Sequence, residues 1–175
     1  MRVLVTGFEP YWDYTNNSSW AVACEVKKLC ISDVEVVVKQ MPVRFAAVAD
    51  ALKEAVKECQ PDFILMLGQS GGSDRIKLER VALNMMDARL ADNDGIIPDN
   101  QPIDKEGEAA FFTNVPIKEI LSALNDEGIM SKISNSCGLY VCNRLYYEAL
   151  KITKEFPNIV SLFVHLPFYE GQPTA

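Results

Sequence analysis

The chain contains a single histidine, His165, and five cysteines, Cys24, Cys30, Cys59, Cys137 and Cys142. A thiol and an imidazole together are the minimum for nucleophilic catalysis, in which a base takes the thiol proton and the sulfur attacks a carbonyl. If histidine assists a reaction here, His165 is the base; otherwise it closes a buried strand and bonds a nearby carbonyl. Cys142 falls near the start of a helical stretch, where unpaired backbone N–H groups favour a thiolate and could hold an oxyanion. The competing reading is a core cysteine on the inner face of that helix. Cys137 is a second candidate nucleophile, placed in the loop before the helix. Glu79 stands among apolar neighbours in LERVALN. A carboxylate there needs a partner, either Arg80 beside it or an imidazole that it orients.

Other chemistries fit less well. The loop GQSGG after the apolar run DFILML lacks the Gly-Lys-Ser/Thr ending of a phosphate-binding loop, and no helix clearly follows it. No cysteine pair has CxxC spacing, so no metal site and no cofactor are expected. An odd number of cysteines points to free thiols. The net charge of −7 argues against nucleic-acid or anionic-membrane partners. No apolar run approaches the roughly 18 residues that span a bilayer, and the N-terminus does not resemble a signal peptide; a cytoplasmic location is expected.

The elements that must position these residues alternate. Residues 2–6, 35–40, 62–67 and 159–164 read as strands, the last carrying His165 at its end. Residues 17–30, 44–59, a stretch between Pro116 and Gly128, and 139–156 read as helices. Residues 76–86 fit either pattern, and 91–107 are loop. The resulting fold class is α/β: a single domain, three-layer α/β/α, with a mostly parallel, twisted central sheet. Active residues in such sheets gather beyond the carboxyl ends of the strands.

Four segments, TGFEPYWDYTNNSSW, GQSGGSDRIKLERVALNMMDARLADNDG, SNSCGLYVCN and VHLPF, together resemble the pyroglutamyl-peptidase I family, the pyrrolidone-carboxylate peptidases. That resemblance implies one catalytic domain over residues 1–175, ending before the final helix that relatives usually carry. It implies a cysteine exopeptidase acting after an N-terminal pyroglutamyl residue, with Cys142 as nucleophile, His165 as base and Glu79 as orienting acid. It also implies that Phe8, Tyr11, Val43 and Tyr140 surround the lactam ring, that the Gln69 backbone contacts substrate and that Arg89 lies near the oxyanion. Peptides with an N-terminal pyroglutamate are the implied partners, and a homo-oligomer, a tetramer in relatives, the implied assembly. The chain departs from the family pattern at Ser73, Lys77 and Cys137, so the alternative is a catalytically impaired homologue that binds pyroglutamyl peptides. If the catalytic reading holds, Cys142 is expected to be the most reactive thiol, with Cys24, Cys30 and Cys59 inert in or beside helices.

Overall fold

Strands that are apolar at nearly every position must be covered on both faces. RVLVTGF, FILMLGQ and VSLFVHL are such runs. In the computed structural model, which describes residues 1–172, they form β1 (Arg2–Phe8), β3 (Phe63–Gln69) and β8 (Val160–Leu166). These lie side by side and parallel near the middle of a six-stranded sheet. On one side, β2 (Glu35–Met41) pairs parallel with β1. On the other, β4 (Ile76–Glu79) runs antiparallel to β8, and β7 (Ser131–Ser134) pairs parallel with β4. The sheet is therefore mostly parallel, as expected, with one reversal at β8–β4.

Helices cover both faces. On one face α1 (Ser18–Val26) and α3 (Ile117–Asp126) pack through Trp20, Ala23, Ile117 and Leu121. On the other, α2 (Val48–Cys59) and α4 (Val141–Glu155) pack through Val48, Leu52, Leu145, Tyr146 and Leu150. Asn17 caps α1 by accepting from the Ser19 N–H at 3.0 Å. Gly7 lies inside β1 rather than ending it. A Cβ there would stand 2.6 Å from the Ser19 carbonyl oxygen, so glycine lets α1 close onto the strand. The Phe8 N–H then reaches Ser19 Oγ at 2.9 Å.

Several boundaries differ from the sequence reading. The first helix stops at Val26, not Cys30, because Leu29 and Ile31 are exposed and no core lies beneath them. Residues 44–47 form a turn before α2. The ambiguous stretch 76–86 resolves into β4 and β5 (Val81–Leu83), broken at Arg80; β5 pairs with β6 (Ala110–Phe112) in a separate ribbon. Neither β6 nor β7 was expected, since each is three or four residues long and too short for a clear alternation to register. Among the described residues no helix is long and apolar enough to cross a membrane.

Candidate active site

The antiparallel pairing of β4 with β8 builds the site. Its register sets Lys77 opposite His165 and Glu79 opposite Phe163. Residues directly opposite, and those two apart on one strand, share a face. Lys77, Glu79 and His165 therefore look out from the same side of the sheet, towards α4. Glu79 Oε1 lies 2.8 Å from His165 Nδ1. Glu79 is fully buried and His165 is 7% exposed. Arg80, the local alternative, makes no ion pair with Glu79 among the described residues, whereas His165 does lie within that distance. On the opposite flank of His165 the neighbouring position is Gly68. A Cβ there would fall 2.9 Å from His165 Cδ2 and 2.7 Å from the Phe163 ring, so the imidazole needs glycine at that position of β3.

An ionised carboxylate can only accept, so the His165 Nδ1 must carry the proton it shares with Glu79. Nε2 is then left with its lone pair. His165, Glu79 and Cys142 line one cavity of about 320 Å³. Cys142 is the second residue of α4. The backbone N–H groups of Val141 and Cys142 donate to no backbone carbonyl among the described residues, as the first turn of a helix leaves them free to do. Among the described residues no hydrogen bond joins Cys142 directly to His165, although both face the same space.

The electrostatics of Cys142 differ from the sequence expectation. Burial pushes its thiol up to about 12, the charge of Glu79 adds to this, and the residue's own backbone N–H opposes it. The helix start does not outweigh desolvation, so the resting thiol is neutral at physiological pH. Cys30, by contrast, lies beyond the end of α1 and is exposed. Limited iodoacetamide treatment is therefore expected to label Cys30 before Cys142, with activity retained at that stage. Labelling of Cys142 should accelerate with rising pH, because a raised thiol pKa leaves little thiolate until strongly alkaline conditions. Peptide mapping against residual activity checks both. Preferential loss of Cys142 at neutral pH would contradict it.

Cys137 is buried, and its Sγ lies 3.4 Å from Asn143 Oδ1. Burial raises its thiol well above the ordinary range. It shares the cavity wall with Cys142 but precedes the helix. Asn143 is a residue that sequence reasoning missed. Fully buried, its amide accepts from the Leu83 N–H and donates to the Leu83 and Met85 carbonyls, at 2.8–2.9 Å. It fastens the first turn of α4 to β5. Replacing it by alanine would orphan those backbone groups, and a loss of about 2–4 kcal/mol is expected. Urea denaturation measures it; a change within experimental error would remove Asn143 from this role.

Phe8, Tyr11, Val43, Gln69 and Tyr140 all line the same cavity, whereas Arg89 is exposed and lies outside its lining. Trp12, which sequence reasoning gave no role, joins the wall. Its ring centroid is 4.7 Å from that of Tyr11 and 5.9 Å from that of Tyr140. The Trp12 indole N–H and the Tyr140 hydroxyl both donate to the Ala91 carbonyl, at 3.0 and 2.8 Å. The 91–107 loop thus clamps two aromatic walls. Buried Asp92 shapes it by accepting from the N–H groups of Phe45, Asp94 and Ile96. Gln69 is buried; its Oε1 accepts from the Ser18 N–H and from Gln172, and its Nε2 approaches the Tyr11 hydroxyl at 3.5 Å. Arg75, near the departure at Ser73, pairs with Asp74 on the surface.

A larger recess of about 760 Å³ lies between the ends of α2 and α4, but no thiol or imidazole lines it. Among the described residues no group of His, Cys, Asp and Glu side chains converges as a metal site.

The geometry can be set beside known proteins. The family model for pyroglutamyl peptidase matches residues 1–174. The chain belongs to the pyroglutamyl peptidase family. The pyrrolidone-carboxylate peptidase of Clavibacter michiganensis is 40% identical over 166 residues, covering 95% of this chain and 78% of that protein. The Bacillus cereus pyrrolidone-carboxylate peptidase is 38% identical over 180 residues, covering 98% and 84%. The crystal structure of pyroglutamyl peptidase I from Bacillus amyloliquefaciens superposes with a TM-score of 0.94 at 37% identity, covering 98% of this chain and 82% of that one. A mutant pyrrolidone carboxyl peptidase from Pyrococcus furiosus gives 0.93 at 36%, covering 98% and 83%. In this member of the pyroglutamyl peptidase family the cavity described above joins the residues that the sequence resemblance singled out, Arg89 excepted.

Proposed function

We propose that the chain is a cysteine exopeptidase that hydrolyses the bond after an N-terminal pyroglutamyl residue, through Cys142, His165 and Glu79. The observation that carries this reading is one cavity holding a cysteine at a helix start beside an imidazole braced by a buried carboxylate. Family membership supports the same substrate. Pyroglutamate is a neutral, flat lactam without an ammonium group. The aromatic end of the cavity, formed by Phe8, Tyr11, Trp12, Val43 and Tyr140, suits such a ring and presents no carboxylate to receive an amine.

Because the thiol rests neutral, His165 acts as a general base during attack rather than as a partner in a preformed ion pair. Its Nε2 takes the Cys142 proton as sulfur bonds to the scissile carbonyl carbon. The oxyanion is met by the free N–H groups at the start of α4. Glu79 holds Nδ1–H and stabilises the imidazolium. The carbon–nitrogen bond then breaks while Nε2 returns the proton to the departing amine. Water attacks the acyl-enzyme with His165 again as base, releasing pyroglutamate and the free thiol.

The test is release of a fluorophore from pyroglutamyl, prolyl and glutaminyl amides by the folded protein. Turnover of the pyroglutamyl amide alone is the expected outcome. Saturable binding of it without turnover would replace this reading with that of a binding homologue, and faster cleavage of another amide would replace the substrate.

A further inference from the structure

The sheet order separates the cavity into two ends. Val43 follows β2, and Phe8, Tyr11 and Trp12 lie at or after the end of β1, so the apolar end sits over the β2–β1 side. His165 on β8 and Lys77 on β4 lie towards the other side, with Ser136 after β7 and Ser70 after β3. An acyl ring held at the aromatic end presents its carbonyl to Cys142. The departing amine must then lie within reach of His165 Nε2, since that atom returns its proton. The residue following the scissile bond is thereby directed past His165, to the side where Lys77 stands directly opposite it in the strand register.

Lys77 is half-buried in the cavity wall. Its Nζ donates to Ser70 Oγ at 2.8 Å. No carboxylate lies within ion-pairing distance of it among the described residues, whereas the nearby Arg75 has its own acidic partner. An ammonium has three N–H donors, so two remain for a ligand. The antiparallel direction of β4 sets Lys77 nearer the mouth of the cavity than Glu79, because its partner His165 is nearer the carboxyl end of β8 than Phe163. In a chain of net charge −7, an uncommitted cation within the cavity is a specific feature rather than part of a basic surface.

Resting on the proposed peptidase reading, we infer that Lys77, steadied by Ser70, is a specificity determinant that receives a carboxylate on the residue following the scissile bond. The carboxylate is either an acidic side chain or the free terminus of a dipeptide. Both present the same planar anion to the ammonium, and the substrates separate them.

The experiment compares matched pairs at low salt. One pair is pyroglutamyl-aspartyl amide against pyroglutamyl-asparaginyl amide; the other is pyroglutamyl-alanine against its C-terminal amide. The carboxylate-bearing member of at least one pair is expected to have a kcat/KM roughly tenfold higher, the scale of one charge-assisted hydrogen bond in a half-exposed setting. The first pair identifies a side-chain reader and the second a terminus reader. That ratio should shrink towards unity in 1 M salt and on Lys77→Met, and persist in Lys77→Arg. A ratio near one in both pairs for the parent protein overturns the inference while leaving the peptidase reading intact, as does a ratio unmoved by Lys77→Met. Binding of the same pairs to Cys142→Ala protein, measured by calorimetry, gives a readout independent of turnover. If the parent protein cleaves nothing, the peptidase reading fails, and the ratio of dissociation constants then decides on Lys77 alone.

Discussion

Cys142→Ala is expected to lower turnover of a pyroglutamyl amide by about 10⁴-fold or more, the scale on which removing a covalent nucleophile acts. The residue is half-buried on the first turn of α4, and among the described residues its thiol makes no hydrogen bond that holds the fold together. The variant should therefore stay folded and still bind a pyroglutamyl peptide. Cys142→Ser should rescue little, because a hydroxyl is harder still to deprotonate than a thiol held near 12. Cys137→Ala supplies the contrast. It removes a buried side chain in contact with Asn143, so it should lower stability while leaving turnover within a few-fold. Kinetics and thermal melts on the variants read both effects. Abolished activity in Cys137→Ala, with Cys142→Ala active, would exchange the nucleophile.

Glu79→Gln should reduce kcat by about 10²–10⁴-fold, with KM much less affected. The amide has nearly the shape of the carboxylate but carries no charge to stabilise the imidazolium. It can also turn its NH₂ towards Nδ1 and enforce the tautomer with the proton on Nε2, which cannot accept the thiol proton. The fold should not suffer. Glu79 Oε2 is buried without a partner among the described residues, and a buried carboxylate satisfied at one oxygen is costly. The variant is accordingly expected to melt no lower than the parent. Retained kcat would remove Glu79 from the mechanism. A sharply lower melting temperature with retained kcat would make the Glu79–His165 contact structural.

Much of the architecture was legible from local pattern. The runs in β1, β3 and β8 are apolar enough to demand burial on both faces, and Phe45, Val48, Ala49, Leu52, Val56 and Cys59 recur at helical spacing over the turn before α2 and α2 itself. Composition and strand–helix alternation then leave few arrangements other than a three-layer α/β/α domain. The single histidine named its own candidate, and Cys142 was marked by its place near a helix start. Such signals are local, so they survive without knowledge of the fold.

What the tertiary structure decided depends on contacts between distant segments or on solvent access. Glu79 and His165 are 86 residues apart, and they meet because β4 runs antiparallel to β8, a direction that a four-residue strand does not announce. The same register places Lys77 opposite His165. Asn143 matters only because β5 comes to lie against the start of α4. Cys30 is exposed because α1 ends before it. The state of Cys142 turned on the same distinction. A helix start favours the thiolate, but the protein packed around the sulfur removes the water that would stabilise the charge. How much water a group loses is set by every segment that folds over it, not by its neighbours in the chain.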